Sequence, residues 1–126
     1  KSEKGWGLGL HTYQVNNKPD YMSNLSEEVT LNICHQDQVL RPPQGATVYA
    51  KSEFCENAGF YIKDKVLTMQ AHPEFLVDFT KALLAARRDV TIPKEFVDPA
   101  LVGLKNNPDS VQSNEFAKTI RQFFLA

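Results

Sequence analysis

The stretch Gln70-Ala71-His72-Pro73-Glu74-Phe75 divides this 126-residue chain into two parts with different hydrophobic periodicity. Before it, apolar and polar residues alternate over short segments, which is typical of β-strands with one buried face. After it, apolar residues recur every three or four positions as far as Arg88, which is the pattern of an amphipathic helix. The sequence therefore predicts a β-rich part followed by helices.

Strand-like segments upstream of this junction lie between clusters of Gly, Pro, Asn and Asp, at residues 8–15, 29–35, 46–51, and 60–62 with 66–70 as a hairpin. The connections within the middle of the chain are short, so we expect mostly antiparallel pairing there. In the second segment the alternation predicts a half-buried strand, with Thr30, Asn32 and Cys34 on its open face.

Two further apolar patterns follow residue 88. Residues 92–102 contain Pro93 and Pro99, and we expect short helical or irregular pieces there because proline interrupts helices. From Phe116 onward apolar residues fall at helical spacing, which predicts a last helix that Asp109 or Ser113 caps.

The composition is that of one ordinary globular domain, with 42% hydrophobic and 23% charged residues. Fourteen basic and 15 acidic residues give a net charge of −1, so no positive field exists to hold nucleic acid or an anionic membrane. No segment has the length or composition of a membrane span or a signal peptide. We therefore expect a cytoplasmic protein that binds neither nucleic acid nor a membrane, with Cys34 and Cys55 as free thiols.

The junction carries the strongest candidate for chemistry. Proline disfavours the α region in the residue before it, so we expect His72 to be extended at the strand end and Pro73 to begin the helix. Glu74 would then lie in the first helical turn, where it can reach the imidazole and fix its tautomer, as the carboxylate of a catalytic triad does. The alternative is a strand-end histidine and a helix N-terminal charge that have no chemical role.

A second polar cluster follows the strand of residues 29–35 and runs from Cys34 to Gln38. A nucleophile–base pair of Cys34 and His35 is disfavoured, because adjacent strand residues point to opposite faces. A zinc site built from these two residues with Cys55 and His72 has suitable ligand types but lacks paired C-x-x-C spacing. Both cysteines are more typical of packed small side chains.

Five motifs together resemble a class I glutamine amidotransferase domain: Gly5-Trp6-Gly7, His35-Gln36-Asp37-Gln38-Val39, Pro43-Gln44-Gly45-Ala46, Ser52-Glu53-Phe54-Cys55 and Gln70-Ala71-His72-Pro73-Glu74-Phe75. In order and spacing, residues 4–88 are similar to the C-terminal half of such a domain, nearest to stand-alone GMP-synthase-like amidotransferases. Residues 89–126 resemble its C-terminal helical extension. The resemblance implies an α/β, flavodoxin-like fold, of which this chain would carry only the C-terminal portion, with mixed or antiparallel strands followed by helices.

The family that the chain resembles hydrolyses glutamine to glutamate and ammonia with a Cys-His-Glu triad. The resemblance implies that His72 is the general base and that Glu74 orients it. It also implies that His35, Gln36 and Asp37 line the glutamine pocket without taking part in bond breaking. Neither a metal nor an organic cofactor is implied, because thiol-based amide hydrolysis needs none.

The nucleophile of that family lies in a Gly-x-Cys-x-Gly-x-Gln turn, which this sequence does not contain. Cys34 and Cys55 occupy positions that the family does not use as the nucleophile. We therefore expect a fragment that is inactive alone, whose cysteine lies in an N-terminal half of the same domain or in a second chain. The alternative is a non-catalytic binding or regulatory module on a degenerate scaffold, although such a module has no chemical reason to keep both His72 and Glu74.

Overall fold

An antiparallel sheet forms the first part of the chain and three helices follow it in the computed structural model, which describes all 126 residues. The strands are β1 (Gly7–Val15), β2 (Glu28–His35), β3 (Thr47–Lys51), β4 (Gly59–Ile62) and β5 (Val66–Leu67). The helices are α1 (Val77–Arg87), α2 (Lys94–Asn106) and α3 (Ser113–Leu125), and a short 3-10 turn covers Asp20–Met22. None of the three helices has the length and apolar composition that a membrane span needs.

The five strands lie in the order β2-β1-β3-β4-β5, and every neighbouring pair is antiparallel. The longest pairing joins β1 and β2, from Gly7 opposite His35 to Gln14 opposite Glu28. The predicted strands are thus present, but the second strand of the hairpin is shorter than residues 66–70. Beyond Leu67 the backbone bonds continue from the Thr68 N–H to Phe60 and from the Gln70 N–H to Ala58. The Phe60 N–H donates to the Thr68 hydroxyl instead of a backbone carbonyl, so the pairing there is no longer regular.

Both faces of the sheet are covered. The larger core contains Tyr13, Leu31, Ile33, Tyr49 and Phe116 among others and lies on the side of α3. The smaller core lies on the side of α1 and α2 and is built from Leu8, Leu84, Ile92, Val97 and Leu104. The prediction of an open polar face on β2 is therefore wrong for Asn32, which is fully buried.

Helix α1 begins four residues later than the sequence predicts. Residues 72–75 form a turn, closed by a bond of 3.1 Å from the Phe75 N–H to the His72 carbonyl, and Leu76 after it is extended. The Phe75 carbonyl accepts a hydrogen bond from the Asn32 side chain instead of from the backbone of the next turn. Glu74 is therefore not in the first turn of a helix, and its position depends on this turn.

Residues 94–106 form one continuous helix, so the prediction of short irregular pieces is wrong. Pro99 lies inside α2 and removes one backbone hydrogen bond. The loss is offset because α2 buries Val97 and Leu104 completely, and each such side chain contributes about 1.5–3 kcal/mol. The helix also approaches β1 closely at Gly9, whose positive φ of 79° suits glycine and where a Cβ would lie 3.1 Å from the Cβ of Ala100.

Helix α3 is held at its start by Gln112 and not by the predicted caps. Neither Asp109 nor Ser113 caps the helix, and Gln112 is the capping residue. The Gln112 N–H donates to the Thr30 carbonyl, and the Thr30 N–H donates to Oε1 of Gln112, each over 2.9 Å. These two bonds fix the beginning of α3 to the edge of β2, beside the segment that carries His72.

Candidate active site

His72 lies in the segment between β5 and α1, against the edge of β2. Its N–H donates to the backbone carbonyl of Asn32 over 2.8 Å. Three residues later the Phe75 carbonyl accepts from Nδ2 of the same asparagine over 3.0 Å. The turn between them therefore has a fixed place on the sheet, and it carries both His72 and Glu74.

Nδ1 of His72 lies 2.7 Å from Oε1 of Glu74. An ionised carboxylate can only accept hydrogen bonds, so Nδ1 is the donor and its proton is fixed there. In the neutral imidazole this leaves Nε2 with its lone pair, and Nε2 has no hydrogen-bond partner in the chain. The side chains are 34% and 63% exposed, so a reacting group can approach. The arrangement can act as a general base with an orienting carboxylate.

The electrostatics of Glu74 agree with this hydrogen bond. Partial burial alone would raise the pKa of the Glu74 carboxyl, but the hydrogen bond from His72, the bond from its own backbone N–H and the charge of His72 together lower the pKa. The carboxyl is therefore ionised at neutral pH, which is the form that accepts the Nδ1 proton.

An aromatic stack fixes the plane of the imidazole. The rings of His72 and Phe75 are parallel within 5°, with centroids 4.1 Å apart. Phe79, from the first turn of α1, packs edge-on against Phe75 at 4.7 Å. The ring of His72 is thus held by Glu74 at its edge and by Phe75 on its face.

His35, the first of the predicted pocket residues, is buried near His72. It is 8% exposed, its Nδ1 lies 3.1 Å from the Asp37 carbonyl, and its Nε2 is buried without a partner. Burial lowers the pKa of His35, and the positive charge of His72 lowers it further, against the opposing effect of Asp37. The net lowering of its pKa favours the neutral form of His35.

The side chains of the other two predicted pocket residues make no hydrogen bond with His72 or Glu74. The Asp37 side chain is exposed, with its carboxylate 3.4 Å from the amino group of Lys1. The Gln36 backbone carbonyl accepts from the N–H of Ser2 over 2.7 Å. A role of these two residues in binding a substrate stays a prediction.

Neither cysteine is placed as a partner of His72. Cys55 is buried in the larger core, and Cys34 packs against the smaller one. Burial raises the pKa of both thiols, and no hydrogen bond joins either sulfur to a histidine. The zinc ligands considered above do not converge, since no group of three or more His, Cys, Asp or Glu side chains has the geometry to hold a metal ion.

A groove of about 370 Å³ lies beside the His72–Glu74 pair. One wall is the segment from Leu67 to Glu74, and the other is the apolar face of α3, with Phe116, Ile120, Phe123 and Phe124. A small molecule in this partly apolar groove could therefore contact His72 and Glu74.

Asn32 is the residue of this site that sequence reasoning missed. The alternating pattern of β2 predicts that Asn32 lies on an open polar face, where an amide side chain is common and indicates no particular role. Asn32 and Phe75 lie 43 positions apart in the sequence, and local sequence patterns cannot predict a contact between residues so far apart.

Comparison with known proteins gives several matches of partial length. A Saccharomyces cerevisiae protein named as a glutamine amidotransferase is 33% identical over 96 residues, covering 76% of this chain and 38% of that protein. Gamma-glutamyl peptidase 2 of Arabidopsis thaliana is 30% identical over 119 residues, covering 91% of this chain and 45% of that protein. No protein-family model matches the chain.

Among solved structures, a glutamine amidotransferase from Thermotoga maritima superimposes with a TM-score of 0.77 at 17% identity. The match covers 99% of this chain and 54% of that one, and at this identity it is evidence for the fold alone. The chain spans about half the length of the relatives it matches, or less. Its antiparallel strands followed by three helices are thus part of a larger fold in those proteins.

Proposed function

Since the chain is about half of a class I glutamine amidotransferase-like domain, we propose that it supplies the general base of a cysteine-dependent hydrolase of γ-glutamyl amides. Glutamine is the first candidate substrate, and glutamate and ammonia are the products. The nucleophilic cysteine belongs to a segment outside this chain, either an N-terminal half or a second chain. Without that segment the chain is inactive.

The observation that carries this proposal is the contact of 2.7 Å between Nδ1 of His72 and Oε1 of Glu74. In the neutral imidazole this contact leaves Nε2 without a proton and directed away from the carboxylate, which is what a base for a thiol needs. A strand-end histidine without a chemical role has no reason to be held in one tautomer and stacked on an aromatic ring.

In the proposed reaction Nε2 of His72 accepts the proton of the cysteine thiol. The thiolate attacks the γ-carboxamide carbon, and the resulting tetrahedral intermediate collapses as the C–N bond breaks. The nitrogen leaves as ammonia with the proton from His72, and a thioester remains on the cysteine. His72 then deprotonates a water molecule that hydrolyses the thioester to glutamate, which restores the thiol. Glu74 stabilises the imidazolium at both stages.

His35, Gln36 and Asp37 form part of the glutamine pocket in this proposal. The buried and neutral His35 shapes the pocket beside His72 without exchanging protons. No metal or organic cofactor takes part in the proposed steps, because a thiolate and an imidazole suffice for them.

A second candidate substrate is a γ-glutamyl peptide, favoured by the 30% identity to gamma-glutamyl peptidase 2 over 91% of this chain. The same carbonyl carbon is attacked, and the leaving group is the α-amino group of the next residue instead of ammonia. The base and its carboxylate have the same roles for both substrates.

The coding sequence upstream of Lys1 tests the proposal first. A segment with a Gly-x-Cys-x-Gly-x-Gln turn supports it, and co-expression of that segment with this chain should give glutamate release from glutamine or from a γ-glutamyl dipeptide. Variants with that cysteine replaced by alanine, or with His72→Ala, are the matched controls and should be inactive.

A native start near Lys1, with no such segment and no partner chain that carries one, would overturn the enzyme proposal. The alternative of a non-catalytic binding module then stands, and calorimetric titration of the chain alone with glutamine tests it. A binding module should give saturable heat, whereas half of a catalytic pocket should give none.

A further inference from the structure

A single buried residue holds both ends of the turn that carries His72 and Glu74. The backbone carbonyl of Asn32 accepts from the His72 N–H over 2.8 Å, and its side-chain amide donates to the Phe75 carbonyl over 3.0 Å. Asn32 is fully buried in β2, and its orientation is set because only Nδ2 can donate to a carbonyl. The two bonds fix where the turn begins and where it ends.

The side-chain bond also decides where α1 begins. In a helix that started at Pro73, the Phe75 carbonyl would accept from the N–H of Phe79, four residues later. In the structure that carbonyl is bound to Asn32, and the first bond of α1 joins the Thr80 N–H to the Leu76 carbonyl. Asn32 thus competes with the extension of α1 toward His72.

We propose that Asn32 is the positioning residue of the His72–Glu74 pair, which it holds in register by keeping residues 72–75 out of the helix. The catalytic meaning of this role depends on the proposed function, but the geometry does not. When the amide is removed, α1 should extend by up to one turn and carry Glu74 away from Nδ1 of His72.

The energetics of Asn32 separate this role from a purely structural one. Its Oδ1 is buried without a hydrogen-bond partner, which is unfavourable for a polar atom. Asn32→Leu keeps the number and branching of the side-chain heavy atoms and removes that unpaired acceptor, while the Phe75 carbonyl can find a new donor in the Phe79 N–H. We therefore expect the variant to fold with stability close to that of the parent, although the turn changes.

The test compares Asn32→Leu with Thr30→Val by NMR on the 126-residue chain. Thr30 lies on the same face of β2, and its hydroxyl pairs with that of Thr12 at 2.7 Å, so this control loses a polar group without touching the turn. In Asn32→Leu we expect helical carbon shifts at residues 73–76 and a Glu74 carboxyl that titrates at higher pH, nearer to that of an ordinary glutamate. In Thr30→Val neither should change. A folded Asn32→Leu chain with the parent's shifts and Glu74 titration would overturn the proposal.

A second measurement needs no variant and applies if Asn32→Leu does not fold. In the parent chain the side-chain amide protons of Asn32 should exchange with solvent at least about tenfold more slowly than those of the exposed Asn106. Equal exchange rates would overturn the proposal, because the amide would then not hold Phe75. Neither measurement depends on activity, so an inactive assembled domain would refute the proposed function and leave the role of Asn32 intact.

Discussion

Two histidines of this site, His35 at the end of β2 and His72 in the turn before α1, have opposite surroundings. His35 is 8% exposed, bonded only to a backbone carbonyl, and neutral because burial lowers its pKa. His72 is half-buried. Its Nδ1 is hydrogen-bonded to the Glu74 carboxylate, and its Nε2 has no hydrogen-bond partner. The same side chain thus serves packing in one place and is fit for proton transfer in the other. Hydrogen-bond partner and exposure, more than residue type, therefore decide what an imidazole can do.

The largest effect that we expect is the loss of activity when His72, but not His35, is replaced. In the assembled domain His72→Ala should lower kcat by about a millionfold, as loss of a triad base does. The same substitution should change the free energy of unfolding of the chain by less than about 1 kcal/mol, because the side chain is partly exposed. Steady-state kinetics and urea denaturation measure the two effects. An active His72→Ala domain would show that the base lies elsewhere.

Replacement of His35 should instead affect mainly the stability of the chain. His35→Ala leaves a cavity beside Phe54, whose ring centroid lies 5.8 Å from that of His35. We expect a loss of about 2 kcal/mol in the free energy of unfolding and a much smaller loss of kcat than His72→Ala gives. If His35→Ala instead left stability unchanged and abolished activity, the assignment of the two roles would be reversed.

The smallest expected effect concerns pH and His11, which packs edge-on against Phe54 at 5.2 Å. Burial, with a further contribution from the charge of His35, lowers the pKa of His11 to about 4. An unfolded histidine takes up its proton near pH 6.5, so between the two values the unfolded state binds more protons and stability falls as pH falls.

In His11→Phe the packing is kept and the titration is lost, so stability should fall less steeply between about pH 6.5 and pH 5. Thermal unfolding across this range measures the slope. A slope equal to that of the parent would show that folded His11 titrates as it does in the unfolded chain.

The strands and the His-Pro-Glu junction could be predicted because alternation, turn residues and the effect of proline on its neighbour are local signals. The start of α1 could not, because it depends on a hydrogen bond from Asn32 over 43 positions. The continuous helix through Pro99 was also missed, because burial of Val97 and Leu104 outweighs a local penalty. The resemblance suggested His35 as a pocket residue, but its burial and unpaired Nε2 follow only from the packing of the sheet.

The proposed chemistry requires that Glu74 holds the proton of neutral His72 on Nδ1 and leaves Nε2 free to act as a base. Long-range ¹H–¹⁵N correlation of the imidazole ring above neutral pH reports the tautomer directly. We expect a protonated Nδ1 and an unprotonated Nε2 in the parent chain. In Glu74→Gln we expect a mixed population, because a neutral amide can both donate and accept a hydrogen bond. Asp78→Asn, which removes an exposed carboxylate of α1 without touching His72, should match the parent. A parent chain with its proton on Nε2, or an unchanged tautomer in Glu74→Gln, would show that Glu74 does not fix the proton of His72.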